Sequence, residues 1–141
     1  MLFMYSPKNI LYIVSSIAAI EKITIYTKGL DTPTALLEAN NQMNFNATNT
    51  LLIAIAEETK KIDKQLLKTQ SNIEWQNIAD MRNVLAQDYR GIDPEIVFDV
   101  IKNELPNLQT ALLQLLKASP ISFINEVIET NMYKHLKKMI V

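Results

Sequence analysis

Apolar residues set a clear rhythm from the first turn onward. Ile10, Ile13, Val14, Ile17, Ile20 and Ile23 recur at intervals of three and four, the spacing that lines one face of an α-helix. Ser6-Pro7 before them fits a helix start, with serine as N-cap and proline in the first turn. Gly29 after them supplies the left-handed residue at which helices commonly stop. Thr32-Pro33 predicts a second, short helix through about Glu38. The Asn-rich stretch ANNQMNFNATNT, residues 39–50, predicts a loop whose asparagines offer caps to the next helix. In that helix Leu52, Ile55, Ala56, Thr59, Ile62 and Leu66 form one stripe. Glu58, Lys61, Lys64 and Lys68 lie opposite and read as a solvated face.

The second half repeats the pattern. Ser71-Asn72-Ile73-Glu74 has the form of a capping box and predicts the start of a helix that runs through MRNVLAQDY, Met81 to Tyr89. Asp93-Pro94-Glu95 predicts another start: an acid as N-cap, proline at the first position, then an acid on the positive end of the helix dipole. Val97, Val100, Ile101, Leu105 and Leu108 follow, and the period resumes at Leu112, Leu115 and Leu116. Pro106 is therefore expected to kink this helix rather than end it. Ser119-Pro120 opens a last helix, with Ile121, Ile124, Ile128 and Leu136 apolar. No stretch alternates as a strand does. The expected fold class is all-α, an antiparallel bundle of about five to six helices in one domain, residues 1–141.

Composition narrows the chemistry. The chain has 141 residues, with 14 basic against 15 acidic side chains, so bulk charge does not advertise nucleic acid and any RNA contact needs a local patch. No cysteine occurs, which removes thiol catalysis and thiolate metal sites. One histidine, His135, rules out a His-rich metal centre, and two glycines are too few for a Gly-rich phosphate loop. No metal and no cofactor are expected. ILYIVSSIAAI, Ile10 to Ile20, is too short to span a bilayer and continues in period to Ile23, so it reads as a core helix of a cytoplasmic protein rather than a signal peptide. Lys134, His135, Lys137 and Lys138 read as favourable charge on the closing turns; His135 has no spacing that makes it a catalytic residue.

MRNVLAQDY carries more polar chemistry than a plain helix needs. Arg82 and Tyr89 are seven residues apart and share a face if the helix persists; Asn83 and Gln87, four apart, share the adjacent one. A guanidinium can grip a phosphate in bidentate fashion, and a phenol can stack on a base. Spacing alone favours a plainer arrangement, with Arg82 paired to Asp80 or Asp88 and Tyr89 half buried. Trp75 reads as a core anchor rather than a stacking platform.

The longer segment IEWQNIADMRNVLAQDYRGIDPEIVFDVIKNELPNL resembles the signature of the HepT-like toxins of the HEPN superfamily. Trp75, Ile78, Met81, Arg82, Asn83, Leu85, Ala86, Tyr89, Ile92, Asp93 and the closing Leu105-Pro106-x-Leu108 carry the match. YTKGLD, Tyr26 to Asp31, and IAEETK, which puts Glu57 at an acidic position on the site's rim, add to it. The resemblance runs from about residue 8 to 116 and leaves residues 119–141 as an extra C-terminal helix. It implies a metal-independent endoribonuclease in which two protomers form an RNA-cleaving cleft. Arg82 would hold the scissile phosphate, with Asn83 beside it. Tyr89 would be the tyrosine to which a nucleotidyltransferase antitoxin adds AMP. The family's general acid–base histidine is Gln87 here. An amide exchanges no proton near neutral pH, and loss of a general acid or base typically costs ~10²–10⁴ in rate, so weak or absent RNase activity is expected. A non-enzymatic helical module that binds a nucleotidyltransferase or a nucleotide is the alternative.

Overall fold

The structure, a computed structural model, describes residues 7–87, 91–129 and 133–140. Those residues are helical and contain no strand, which makes the fold all-α. Helix α1 (Pro7–Tyr26) is the central element and packs against α3 (Met43–Lys60), α7 (Leu105–Lys117) and α8 (Ile121–Ile128). Its stripe is fully legible in the sequence: Ile10, Ile13, Val14, Ile17, Ile20 and Ile23 are all 2% exposed or less. Each such side chain stabilises the fold by roughly 1.5–3 kcal/mol relative to leaving it in water. The helix has the length and composition to cross a membrane, and it buries that apolar face inside the bundle. Ser6, the expected N-cap, lies outside the described residues. Gly29 adopts φ 78° and turns the chain after α1, three residues beyond the last helical position.

Helices α1 and α3 run antiparallel, tied near both ends. The Asn44 side chain donates to the Tyr26 carbonyl (2.7 Å), and the Asp63 backbone N–H donates to Asn9 Oδ1 (3.0 Å). Between them in the chain comes α2 (Pro33–Glu38), which starts at Thr32-Pro33 as expected, and the Thr32 hydroxyl caps it by accepting from the Ala35 N–H at 3.0 Å.

The Asn-rich stretch departs from the sequence expectation. Only Ala39–Gln42 connects α2 to α3, and the helix already runs from Met43. Asn40, Asn41 and Gln42 all take positive φ, and Gln42 precedes α3 with no side-chain cap bond. Asparagine tolerates the left-handed region, so the composition marked the reversal correctly but overstated its length. Phe45, Thr48, Asn49 and Leu52, at helical spacing, are buried and extend the expected stripe backwards. At its other end the stripe outruns the helix. Ile62 lies in the turn after α3, and Leu66 belongs to the one-turn α4 (Lys64–Leu67), whose N-cap Asp63 accepts from the Gln65 N–H.

Helix α5 (Trp75–Gln87) starts later than a capping box at Ser71 requires, because Glu74 precedes the helix instead of occupying its third position. Asp93 caps α6 (Pro94–Asp99) through the Glu95 N–H at 2.9 Å. A π-helical turn, Val100–Glu104, joins α6 to α7. Pro106 has no N–H to donate to the Lys102 carbonyl, and the wider turn just before it accommodates that loss. The expected single C-terminal helix is two elements. Helix α8 ends at Ile128, and a 3₁₀ turn, Lys134–Leu136, leads into the one-turn α9 (Lys137–Ile140). Ile124, Ile128 and Leu136 are core residues as expected, whereas Ile121 is 64% exposed.

Candidate functional site

Helix α5 is amphipathic in a way that fixes where its polar residues point. Ile78 and Leu85 are buried, and Met81 packs partly against the core. Arg82 stands one flank away from that buried face, towards α3, and Asn83 points further outward; both are exposed. Gln87 is the last residue of the helix. Tyr89 and Asp88 lie outside the described residues.

Among the described residues the Arg82 guanidinium is held by α3, not by its own helix. Its Nε donates to Glu57 Oε1 at 3.0 Å, with the two side chains 50% and 48% exposed. Of the two partners that spacing offers, Asp88 lies outside the described residues, and Asp80 is not the partner: its Oδ1 accepts from the Gln76 amide at 2.8 Å. The reason is geometric. Helices α3 and α5 pack closely and antiparallel, so Glu57 projects across the seam, while Asp80 falls on the solvent side of α5. An exposed ion pair contributes little to stability, about 0–1 kcal/mol. Its consequence is orientation. Glu57 occupies Nε, and the two Nη groups make no hydrogen bond among the described residues. Those are the donors that grip a phosphate side-on.

Trp75 begins α5 and anchors it. Its indole N–H lies 3.0 Å from the Leu67 carbonyl and 3.1 Å from that of Gln70, which fixes the ring against the α4 segment. The ring also lines a cleft of about 400 Å³ with Thr59, Lys60, Lys64, Lys68 and Ala79 among its walls. A second cleft of about 280 Å³ lies on the other flank of α5 and includes Glu74, Asn77, Glu104 and Asn107. The helical period places Lys64 and Lys68 on a solvated face and gives Lys60 no distinction. Their convergence depends on the turn after α3, which no periodicity reveals.

Three of the tail's four basic residues lie against carboxylates. Lys137 pairs with Glu129 at 2.6 Å, and Lys138 and His135 lie 3.7 and 3.6 Å from the carboxylate of Glu21 on α1. They dock the last turns onto the bundle through these carboxylates, whereas the sequence alone reads them as complementing a helix C-terminus. His135 thus faces an α1 carboxylate.

Comparison with known proteins identifies the family. The sequence profile of the family described as Ribonuclease HepT-like matches residues 17–115. Among curated relatives, Putative RNase MJ0125 of Methanocaldococcus jannaschii is 28% identical over 97 residues, 69% of this chain and 81% of that protein. Putative RNase TTE0752 of Caldanaerobacter subterraneus subsp. tengcongensis is 30% identical over 63 residues, 45% of this chain and 56% of that protein. Gamma-glutamylcyclotransferase and putative RNase MJ0434, also of M. jannaschii, is 27% identical over 63 residues, which cover 28% of its length. The chain thus aligns with about half or less of the last two. No solved structure matches at the same stringency. The profile covers α5 and most of the helices that pack around it, and on that match the chain belongs to the HepT-like ribonuclease family.

Proposed function

We propose that this protein is a HepT-like toxin, a cytoplasmic RNase scaffold of a toxin–antitoxin pair, and that Gln87 leaves it weakly active or inactive. The observation that carries the reading is the exposed Arg82 guanidinium, steered by Glu57 through Nε with its Nη donors free of protein hydrogen bonds among the described residues. In metal-independent RNA cleavage the 2′-oxygen attacks the adjacent phosphorus and the bond to the 5′-oxygen breaks. A 2′,3′-cyclic phosphate and a free 5′-hydroxyl result. Arg82 suits the charge that grows on the phosphoryl oxygens, with Asn83 as a neighbouring polar contact. The proton lost by the 2′-hydroxyl and the proton gained by the leaving oxygen need a carrier, and Gln87 offers none near neutral pH. Water then has to serve, at a cost of ~10²–10⁴ in rate.

A second protomer completes the cleft in this proposal, which makes the active form a homodimer. Tyr89 is the proposed acceptor of AMP from a nucleotidyltransferase antitoxin: its phenolic oxygen attacks the α-phosphorus of ATP and pyrophosphate leaves. The added phosphate charge and bulk would bar RNA. Gln87 also favours a second reading, in which the helical module binds its nucleotidyltransferase partner or a nucleotide without turnover.

Induced expression separates the two. The Gln87→His variant should arrest growth, and Arg82→Ala in the same chain should relieve the arrest. A Gln87→His protein that folds, leaves cellular RNA intact and does not slow growth would exclude the toxin reading for this scaffold.

A further inference from the structure

We infer that the cleft between the end of α3, α4 and the start of α5 is an RNA-backbone subsite, one that carries the strand away from Arg82 along the α3–α5 seam. The inference rests on the RNase reading above and assigns a further binding surface to it.

Three observations carry it. Lys60 closes α3, Lys64 opens α4 and Lys68 follows it, and the turn between the two helices brings all three to the wall of one cleft of about 400 Å³. No carboxylate lines that cleft, and none of the three lysines has an ion pair among the described residues. The contrast with the opposite flank of α5 is sharp, since that cleft is walled by Glu74 and Glu104 and by no lysine or arginine. Like charges four residues apart, as Lys64 and Lys68 are, repel one another, and an anion between them removes that repulsion. In a chain whose net charge is −1, this is where anions are drawn.

Position decides which anion. Trp75, Ala79 and Arg82 follow one flank of α5 at intervals of four and three, so the cleft and the guanidinium share a continuous edge two helical turns long, ~10 Å. Glu57 and Lys60 continue the same edge on α3. A linear polyanion bound at Arg82 reaches the lysines without crossing a helix. Trp75, fixed through its N–H and partly exposed in the cleft wall, offers a ring for an unpaired base. Single-stranded RNA meets all of these conditions, and a lone mononucleotide uses only the pocket.

Trp75 is the only tryptophan in the chain, so its fluorescence reports directly on the cleft. The test titrates the 141-residue chain with a short single-stranded RNA, with AMP and with pyrophosphate, following both Trp75 emission and the anisotropy of labelled RNA. RNA should change the emission. The triple substitution Lys60→Gln, Lys64→Gln, Lys68→Gln should weaken RNA binding at least tenfold and reduce the slope of log K against log salt by about 2, three phosphate contacts at roughly 0.7 each. Circular dichroism checks that the exposed substitutions leave the fold intact. If Arg82→Ala weakens binding and the lysine variant does not, the subsite is wrong while the RNase reading stands. AMP or pyrophosphate binding as tightly as RNA would make the cleft a small-anion pocket and overturn the inference. No RNA binding by the wild-type protein would remove the subsite and the site at Arg82 together.

Discussion

The exposed Arg82–Glu57 pair and the buried leucine three residues along the same helix make opposite kinds of contribution. Glu57→Ala should change unfolding free energy by less than about 1 kcal/mol in a denaturant titration, since both partners are half exposed. Leu85→Ala, at a side chain 1% exposed, should cost ~2–5 kcal/mol. An equal effect at the two positions would mean that Glu57 is structural rather than orienting. The arginine was legible in the sequence because the surrounding motif is distinctive, and Glu57 was legible only through family resemblance. Nothing in the spacing of α5 could select a partner on α3, and the local rule pointed to Asp80. The lysine cleft was illegible for the same reason: Lys60, Lys64 and Lys68 meet Trp75 only after the chain has turned twice.

Between elements, the chain is read best where side chains speak to their own backbone. Asp93 reads as a cap, and Thr32-Pro33 as a helix start, from type and position alone, and both side chains accept a capping bond. Thr32→Ala should lower stability by ~1 kcal/mol in thermal or chemical unfolding. Errors arose where composition stood in for geometry. The asparagines of residues 39–50 suggested a loop throughout, yet four residues suffice for the reversal and the burial of Phe45 and Thr48 recruits the rest into α3. The end of α8 had no breaker to announce it. There Glu129 reaches Lys137 across the gap between α8 and α9, and the hydrogen bond from Lys137, with its positive charge, lowers the Glu129 pKa below the ordinary glutamate value. A lowered folded-state pKa means that the pair favours the docked tail above the ordinary glutamate range and loses that effect as pH falls through the lowered value. NMR titration of the Glu129 carboxyl should therefore show a midpoint below that of the Lys137→Ala variant; coincident midpoints would remove the pair's influence.

Taken whole, the molecule is a nearly neutral bundle with two unlike clefts on either side of α5. Acids wall one and lysines the other, and Arg82, paired with Glu57, stands on the flank of the lysine cleft. The proposed cleft needs a second copy, so light scattering at micromolar concentration should give twice the chain mass, and a monomer would count against a two-protomer site. On the proposed function, α5 carries an RNase site that lacks only its proton carrier. The single-turnover rate of RNA cleavage by the wild-type protein, by Gln87→His and by Gln87→His with Arg82→Ala tests this. A rise of ~10²–10⁴ is expected on introducing the histidine, and its loss with the arginine. A wild-type rate equal to that of Gln87→His, or cleavage that survives Arg82→Ala, would contradict it.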